Sequence, residues 1–221
     1  MNQASELKGP EVKRPSLALR IPAMVLSYVF HPVFMPLMMT FVLYMLVPAH
    51  FAGIPPTKMG LLYIQVALHS AFFPLLTVLL LKGLGLIESI HMRNQKDRII
   101  PLIASMTFYF WGYWVFKNNN EPELIRVLFL GGFGGVIAVF MISIFFKISM
   151  HTASAGSIVG IIVVVMFLSP VNMVLPLFIA LLVAGIIGTA RLILSAHTSG
   201  EIWLGYIVGF LVQVAAYWYL S

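Results

Sequence analysis

Residues 153–189 read ASAGSIVGIIVVVMFLSPVNMVLPLFIALLVAGIIGT, a stretch without one acidic or basic side chain. A membrane-spanning helix needs about 20 apolar residues, so this stretch is long enough for two. Pro170 breaks a helix and predicts a tight hairpin between spans at 153–169 and 171–189. We interpret both spans as helices, because backbone groups cannot stay unpaired in lipid and the sequence does not alternate with period two.

The rest of the chain repeats this pattern. Five further apolar stretches have spanning length: 21–47, 61–82, 99–116, 124–146 and 202–220. We therefore expect an all-α fold, a multi-pass transmembrane helical bundle of six to seven spans. It forms a single domain over 21–221, after a polar N-terminal tail at 1–20.

The first stretch contains three prolines, and Pro32 and Pro36 near its middle suggest an interfacial helix that leads into a kinked span. We interpret His31, which directly precedes Pro32, as a structural residue of that kink.

Composition excludes several classes of protein. The chain is 61% hydrophobic and 9% charged, whereas a soluble domain carries about 25% charged residues, so a water-exposed globule is excluded. With no cysteine there is no disulfide framework, thiolate nucleophile or cysteine metal site. The net charge of +6 comes from cations spread along an apolar chain, which excludes a nucleic-acid groove and favours anionic lipid or phosphate as partner. The oligomeric state stays open.

Seven spans place alternate loops on the same side of a membrane. The loops near 83–98, 147–152 and 190–201 then share the side of the N-terminus. That side gathers a cluster of cationic and titratable residues: His91, Arg93, Lys96, Arg98, Lys147, His151, Arg191, His197 and Glu201. Arginine binds phosphate oxygens in a fork and lysine adds a point charge, so we expect a phosphate-binding active site at one membrane face.

The last of these loops predicts a nucleophile. His197 and Glu201 are four residues apart and share one face if a helix starts there. The carboxylate can then accept a hydrogen bond from one imidazole nitrogen and leave the other free to attack. His151 precedes a helix start rich in small residues, whose N-terminal N–H groups favour phosphate, and it could protonate a leaving oxygen.

These residues resemble the motifs of the type 2 phosphatidic acid phosphatase family. The third motif of that family is Ser-Arg, five residues, His, three residues, Asp. Here it is matched by Ala190-Arg191, His197 and Glu201, with Ala for Ser and Glu for Asp. The second motif, Pro-Ser-Gly-His, is matched by residues 148–151, which keep Ser149 and His151 but have Met in place of Gly.

The first motif of the family is matched less closely. It reads Lys, six residues, Arg-Pro, often extended to Arg-Pro-Arg-Pro. With Arg98 on its arginine, Pro101 falls on the last proline and His91 falls where lysine is expected. Lys96 or Arg93 could supply the missing cation.

The resemblance implies a role for each residue. His197 would attack phosphorus to form a phosphohistidine, Glu201 would orient His197, and His151 would protonate the leaving oxygen. The implied phosphate-binding side chains are Arg191, Arg98, Lys96, Ser149 and His91. Family members need no metal and no cofactor.

The resemblance also implies a membrane lipid substrate. In the family the substrates are phosphatidic acid, phosphatidylglycerol phosphate, lipid A phosphates and polyprenyl diphosphates such as undecaprenyl diphosphate. Two alternatives stay open: an inactive lipid-phosphate binder or transporter of the same fold, and a phosphotransferase that passes the group to an alcohol other than water.

The side of the membrane that the site faces also stays open. Ten of the 13 lysine and arginine residues fall on the side of the site, which by the positive-inside rule is cytoplasmic. Bacterial relatives instead place the site on the extracytoplasmic face of the plasma membrane, which is the side we expect from the resemblance.

Overall fold

The computed structural model describes residues 15–89 and 95–221, without the side chains of Gln95 and Lys96. Among these residues the chain is 83% helical and forms no strand. The helices are α1 (Leu17–Val29), α2 (Met35–Leu46), α3 (Pro56–Ala67), α4 (Phe73–Gly83), α5 (Gln95–Asn118), α6 (Glu123–Phe145), α7 (Met150–Leu168), α8 (Val174–Ile193) and α9 (Ser199–Leu220). A 3₁₀ turn at Pro32–Phe34 joins α1 to α2, and a π-helical turn at Leu68–Phe72 joins α3 to α4.

Seven helical segments within the described residues are long and apolar enough to cross a membrane. They are Leu17–Leu46, Pro56–Gly83, Asp97–Asn118, Glu123–Phe145, Met150–Leu168, Val174–Ile193 and Ser199–Leu220. The predicted all-α, multi-pass bundle is confirmed.

Two boundaries differ from the prediction. Helix α1 begins at Leu17, inside the stretch assigned to the polar tail. The connection between α7 and α8 is also longer than predicted, since it covers residues 169–173 and not Pro170 alone. In this connection the side chains of Ser169 and Asn172 each accept a hydrogen bond from the backbone N–H two residues later, as is typical of turns.

Helices α7 and α9 begin at the same end of the bundle and pack with their backbones in contact. A Cβ atom on Gly205 would meet the Thr152 side chain, and one on Gly209 would meet the Ala153 carbonyl. On the facing helix, Gly156 lies against the Tyr206 backbone. Glycines four residues apart permit this close approach. It brings the N-termini of both helices, and the histidines beside them, to one place.

Helix α1 lies across that same end of the bundle. Arg20 lines a small pocket with residues 193–195, just past the end of α8, while Ser27 bonds to Arg191 on the last turn of α8. The chain then breaks at residues 30–31, and α2 continues into the bundle against α6 and α7. The break after α1 is the one that the prolines predict.

Candidate functional site

A cavity of about 700 Å³ opens between the helices beneath α1. Its polar end is formed by six side chains that are distant from one another in the sequence or lie in different elements: Ser27, His31, Arg98, His151, Arg191 and His197. The remaining wall is mainly apolar and includes Met35, Met39, Leu79 and Leu102. The volume lies within the range of about 300–1,000 Å³ that is typical of small-molecule sites, so the cavity has room for much more than one phosphate group.

His197 is held by the turn between α8 and α9. Ser195 adopts a left-handed conformation with φ 51°, and Ala196 N–H donates to the Arg191 carbonyl at 3.1 Å, which ends α8 in a Schellman-type turn. Thr198 then caps α9 by accepting a hydrogen bond from Glu201 N–H at 3.4 Å. His197 therefore lies between two helix ends.

The predicted pair between His197 and Glu201 forms. His197 Nδ1–H donates to Glu201 Oε2 at 2.7 Å. The Thr198-x-x-Glu201 spacing is that of a capping box, in which the glutamate side chain bonds to the backbone N–H of the capping residue. Here the Glu201 carboxylate bonds to the His197 imidazole instead. Since Nδ1 carries the proton in this pair, Nε2 keeps a lone pair, as a nucleophile requires.

Burial keeps His197 neutral. Its side chain is 7% exposed, whereas that of Glu201 is 20% exposed. Burial lowers the pKa of His197 below its ordinary value of 6.5, and the positive charges of Arg191 and Lys147 lower it further. The hydrogen bond and negative charge of Glu201 raise it in part. The net result is an imidazole that stays uncharged at neutral pH.

His151 lies on the first turn of α7 and contacts α1. Its Nε2–H donates to the Ser27 carbonyl at 3.0 Å. Its ring also meets the ring of His31 edge to face, with centroids 5.3 Å apart and an interplanar angle of 87°. Helix α1 thus fixes both the orientation and the tautomer of His151.

Two arginines line the polar end of the cavity. Arg191 Nη1 donates to Ser27 Oγ at 3.1 Å, while its Nε is buried with no hydrogen-bond partner among residues 15–89 and 95–221. Arg98 enters the same space from the first turns of α5, as its motif predicts. The buried, unused Nε–H of Arg191 is a donor that suits an anionic ligand.

Lys147 does not line the cavity but contacts residues that hold His197 in place. Its Nζ donates to the Ala196 carbonyl at 2.8 Å and lies 3.9 Å from Glu201 Oε2. Ser149 N–H donates to the Glu201 carbonyl at 3.3 Å. These contacts tie the loop before α7 to the loop before α9.

Ser149, a predicted phosphate ligand, lies apart from the other predicted site residues. The residue is fully buried and caps α7, where its Oγ accepts a hydrogen bond from Thr152 N–H at 3.4 Å. It does not line the cavity. Its hydroxyl is used to begin the helix that carries His151.

The side chains of three further candidate phosphate-binding residues are not described. His91 and Arg93 lie outside residues 15–89 and 95–221, and the side chain of Lys96 is likewise outside the description. Among the described residues, no group of three His, Asp or Glu side chains is arranged to hold a metal ion.

Sequence reasoning missed two residues of the site, Ser27 and His31. Both line the cavity, and Ser27 bonds to His151 through its carbonyl and to Arg191 through its hydroxyl. The signal available for His31 was a histidine directly before a proline in an otherwise apolar stretch. The interpretation of His31 as purely structural is incomplete, because it lines the cavity as well as starting a 3₁₀ turn.

The arrangement combines a cationic end, an oriented neutral histidine and an apolar pocket. Such a site suits an amphiphilic anion, since the arginines neutralise its charge and the wall covers its chain. Comparisons of the chain with family models, curated proteins and solved structures found no match.

Proposed function

We propose that this protein is a metal-independent lipid phosphate phosphatase of the type 2 phosphatidic acid phosphatase family. The observation that carries the proposal is the 2.7 Å bond from His197 Nδ1 to Glu201, with His197 on the wall of a cavity that His151, Arg191 and Arg98 also line. In-line attack on phosphorus requires an oriented nucleophile with a free lone pair and cations that bind the phosphate oxygens. The unprotonated Nε2 of His197 and the two guanidinium groups meet these requirements.

In the first step, His197 Nε2 attacks phosphorus and forms a P–N bond as the bond to the leaving oxygen breaks. His151 gives a proton to that oxygen. The negative charge of the bound phosphate favours the protonated form of His151 needed for this transfer. Substrate displaces the Ser27 carbonyl as the partner of His151 Nε2.

In the second step, water attacks the phosphohistidine, the P–N bond breaks and inorganic phosphate leaves. His151 now accepts the proton of that water. Arg191 and Arg98 bind the non-bridging oxygens in both steps and stabilise the charge that develops on them. Glu201 stabilises the positive charge that His197 acquires during attack.

A lipid substrate is supported by the cavity. Its walls beyond the polar end are mainly apolar, and it lies within a bundle whose helices have membrane-spanning length. A chain can therefore occupy the apolar part while the phosphate meets the arginines. The substrate class is a lipid phosphomonoester or a polyprenyl diphosphate.

We place the protein in the plasma (inner) membrane with the site on the extracytoplasmic face, on the resemblance to the family. The cations favour the opposite orientation, because Arg20 lies at the site end of the bundle together with Lys147 and Arg191.

The test is release of inorganic phosphate by the purified, detergent-solubilised protein with chelator present. Undecaprenyl diphosphate, phosphatidic acid and phosphatidylglycerol phosphate are the substrates. We expect the wild-type protein to release phosphate and His197→Ala to lose this activity. His50→Ala is the control and keeps the activity, because His50 lies outside the cavity in the turn after α2. Release that persists in folded His197→Ala would contradict the proposal.

A binder or transporter without hydrolytic activity is the alternative. It is favoured by one contact, the hydrogen bond of His151 Nε2 to Ser27, which engages the proton that the leaving oxygen would need. This alternative predicts binding of lipid phosphate by the wild-type protein without release of phosphate from any of the three substrates.

A further inference from the structure

His31 lies outside the three motif-like segments, yet the fold brings it into the site. It follows the end of α1 and begins the 3₁₀ turn at Pro32–Phe34, where its side chain acts as the N-terminal cap. It lines the same cavity as Arg98, His151, Arg191 and His197. The proposed mechanism uses one histidine as the nucleophile, a second as the acid, and two arginines to bind phosphate. It assigns no role to His31, the third histidine at this end.

The capping contact defines which hydrogen-bonding group His31 offers. Val33 N–H donates to His31 Nδ1 at 3.5 Å, so in the neutral ring the proton is on Nε2. Pro32 has no N–H that could compete for Nδ1. His31 therefore offers an N–H donor at Nε2, on a ring that borders the cavity.

The position of His31 relative to His151 identifies the part of the substrate it meets. In-line transfer puts the attacking atom and the leaving oxygen on opposite sides of phosphorus. His197 is the attacking group and His151 serves the leaving oxygen, so the leaving group lies beside His151. The His31 ring packs edge to face against His151, which puts it on that side.

We propose that His31 is a specificity-determining residue that binds the leaving phosphate of a lipid diphosphate. The inference rests on the proposed function. In this reaction the bond between the terminal phosphorus and the bridging oxygen breaks, the P–N bond to His197 forms, and a lipid monophosphate leaves with the proton of His151. The oxygens of that monophosphate accept the His31 Nε2–H.

A lipid phosphomonoester gives His31 nothing comparable to bind. Its leaving group is an alcohol, which carries no phosphate oxygens next to the broken bond. A hydrogen bond to a charged group is worth about 1.5–3 kcal/mol, which corresponds to about 10- to 100-fold in rate or affinity. His31 thereby selects diphosphate over monophosphate by a factor of this size.

The experiment compares kcat/KM for undecaprenyl diphosphate and undecaprenyl monophosphate, which have the same chain. His31→Phe keeps a ring against His151, and His31→Ser keeps an N-terminal cap, so the two variants preserve different structural contacts. We expect each folded variant to lower kcat/KM for the diphosphate about 10- to 100-fold and to change that for the monophosphate by less than about threefold. His50→Phe is the matched control and leaves the ratio unchanged.

The outcomes separate the inference from the proposed function. Equal losses on both substrates would assign His31 a merely structural role, and an unchanged ratio in either folded variant would also overturn the inference. Both of these results leave the phosphatase proposal standing if phosphate release still depends on His197. Release that does not depend on His197 would instead contradict the proposed function itself.

Discussion

At the scale of single residues, Glu201 has the largest expected effect on chemistry. It accepts the Nδ1–H of His197 at 2.7 Å and so fixes the tautomer that leaves Nε2 unprotonated. Glu201 does not itself line the cavity, so it acts on the reaction through His197. A positioning residue of this kind contributes to turnover much more than to substrate binding.

We therefore expect Glu201→Gln to lower kcat by about 10²- to 10⁴-fold with little change in KM. Glutamine is nearly isosteric but carries no charge to balance the imidazolium character of His197 during attack. Steady-state kinetics of phosphate release measure both parameters, and Glu123→Gln on the first turn of α6 is the matched control. Unchanged kcat in folded Glu201→Gln would exclude the orienting role.

The pH profile follows from the pKa of His197. The nucleophile must be neutral, so activity is present above this pKa and is lost as pH falls through it. Burial lowers the pKa below 6.5, so we expect the acidic limb of kcat/KM below pH 6.5. Because Glu201 raises this pKa, Glu201→Gln shifts the acidic limb of its residual activity to lower pH. A limb that moves to higher pH would contradict this assignment.

At the scale of helices, the contact between α7 and α9 positions the site. The first turn of α7 carries His151 and the first turn of α9 carries Glu201, so any separation of these helices moves both. Gly205 and Gly209 let the two backbones touch near this end. The glycines thus connect helix packing directly to the geometry of the reaction.

We expect Gly209→Ala to destabilise the protein by about 1–3 kcal/mol, as overpacking does, because the new Cβ meets the backbone carbonyl of Ala153. Gly185→Ala in α8 is the control, since nothing lies within 4 Å of its Cβ position. Thermal unfolding in detergent measures both variants. The prediction fails if the two unfold at the same temperature.

At the scale of the whole molecule, orientation in the membrane decides which pool of substrate reaches the site. The chain contains no cysteine, so a single introduced cysteine reports the side of its loop. Ser195 and Asn119 are exposed in loops at opposite ends of the bundle.

We expect Ser195→Cys to react with a membrane-impermeant maleimide in intact cells, and Asn119→Cys to react only after lysis. This result is the one required by an extracytoplasmic site. The reverse pattern would put the site in the cytoplasm, in agreement with the distribution of lysine and arginine. Phosphate release by both variants confirms that they are folded.

The seven spans and the pairing of His197 with Glu201 could both be predicted from local sequence alone. Both depend on local properties: the length of an apolar stretch against the thickness of a bilayer, and a spacing of four residues on one helix face. Parity along the chain also predicted that Arg98, His151, Arg191 and His197 lie at one end of the bundle, and all four line the same cavity.

Which further polar residues line the cavity depends on packing between helices that are distant in the sequence. Ser27 and His31 enter it because the chain breaks before Pro32 and α1 lies across the end of α8, a direction that depends on packing between distant segments. Ser149 does not line the cavity, and its hydroxyl caps α7. Two serines, Ser27 and Ser149, thus have different surroundings because they lie at different helix ends. The positions of those helix ends depend on contacts between distant segments, which a local sequence pattern does not encode.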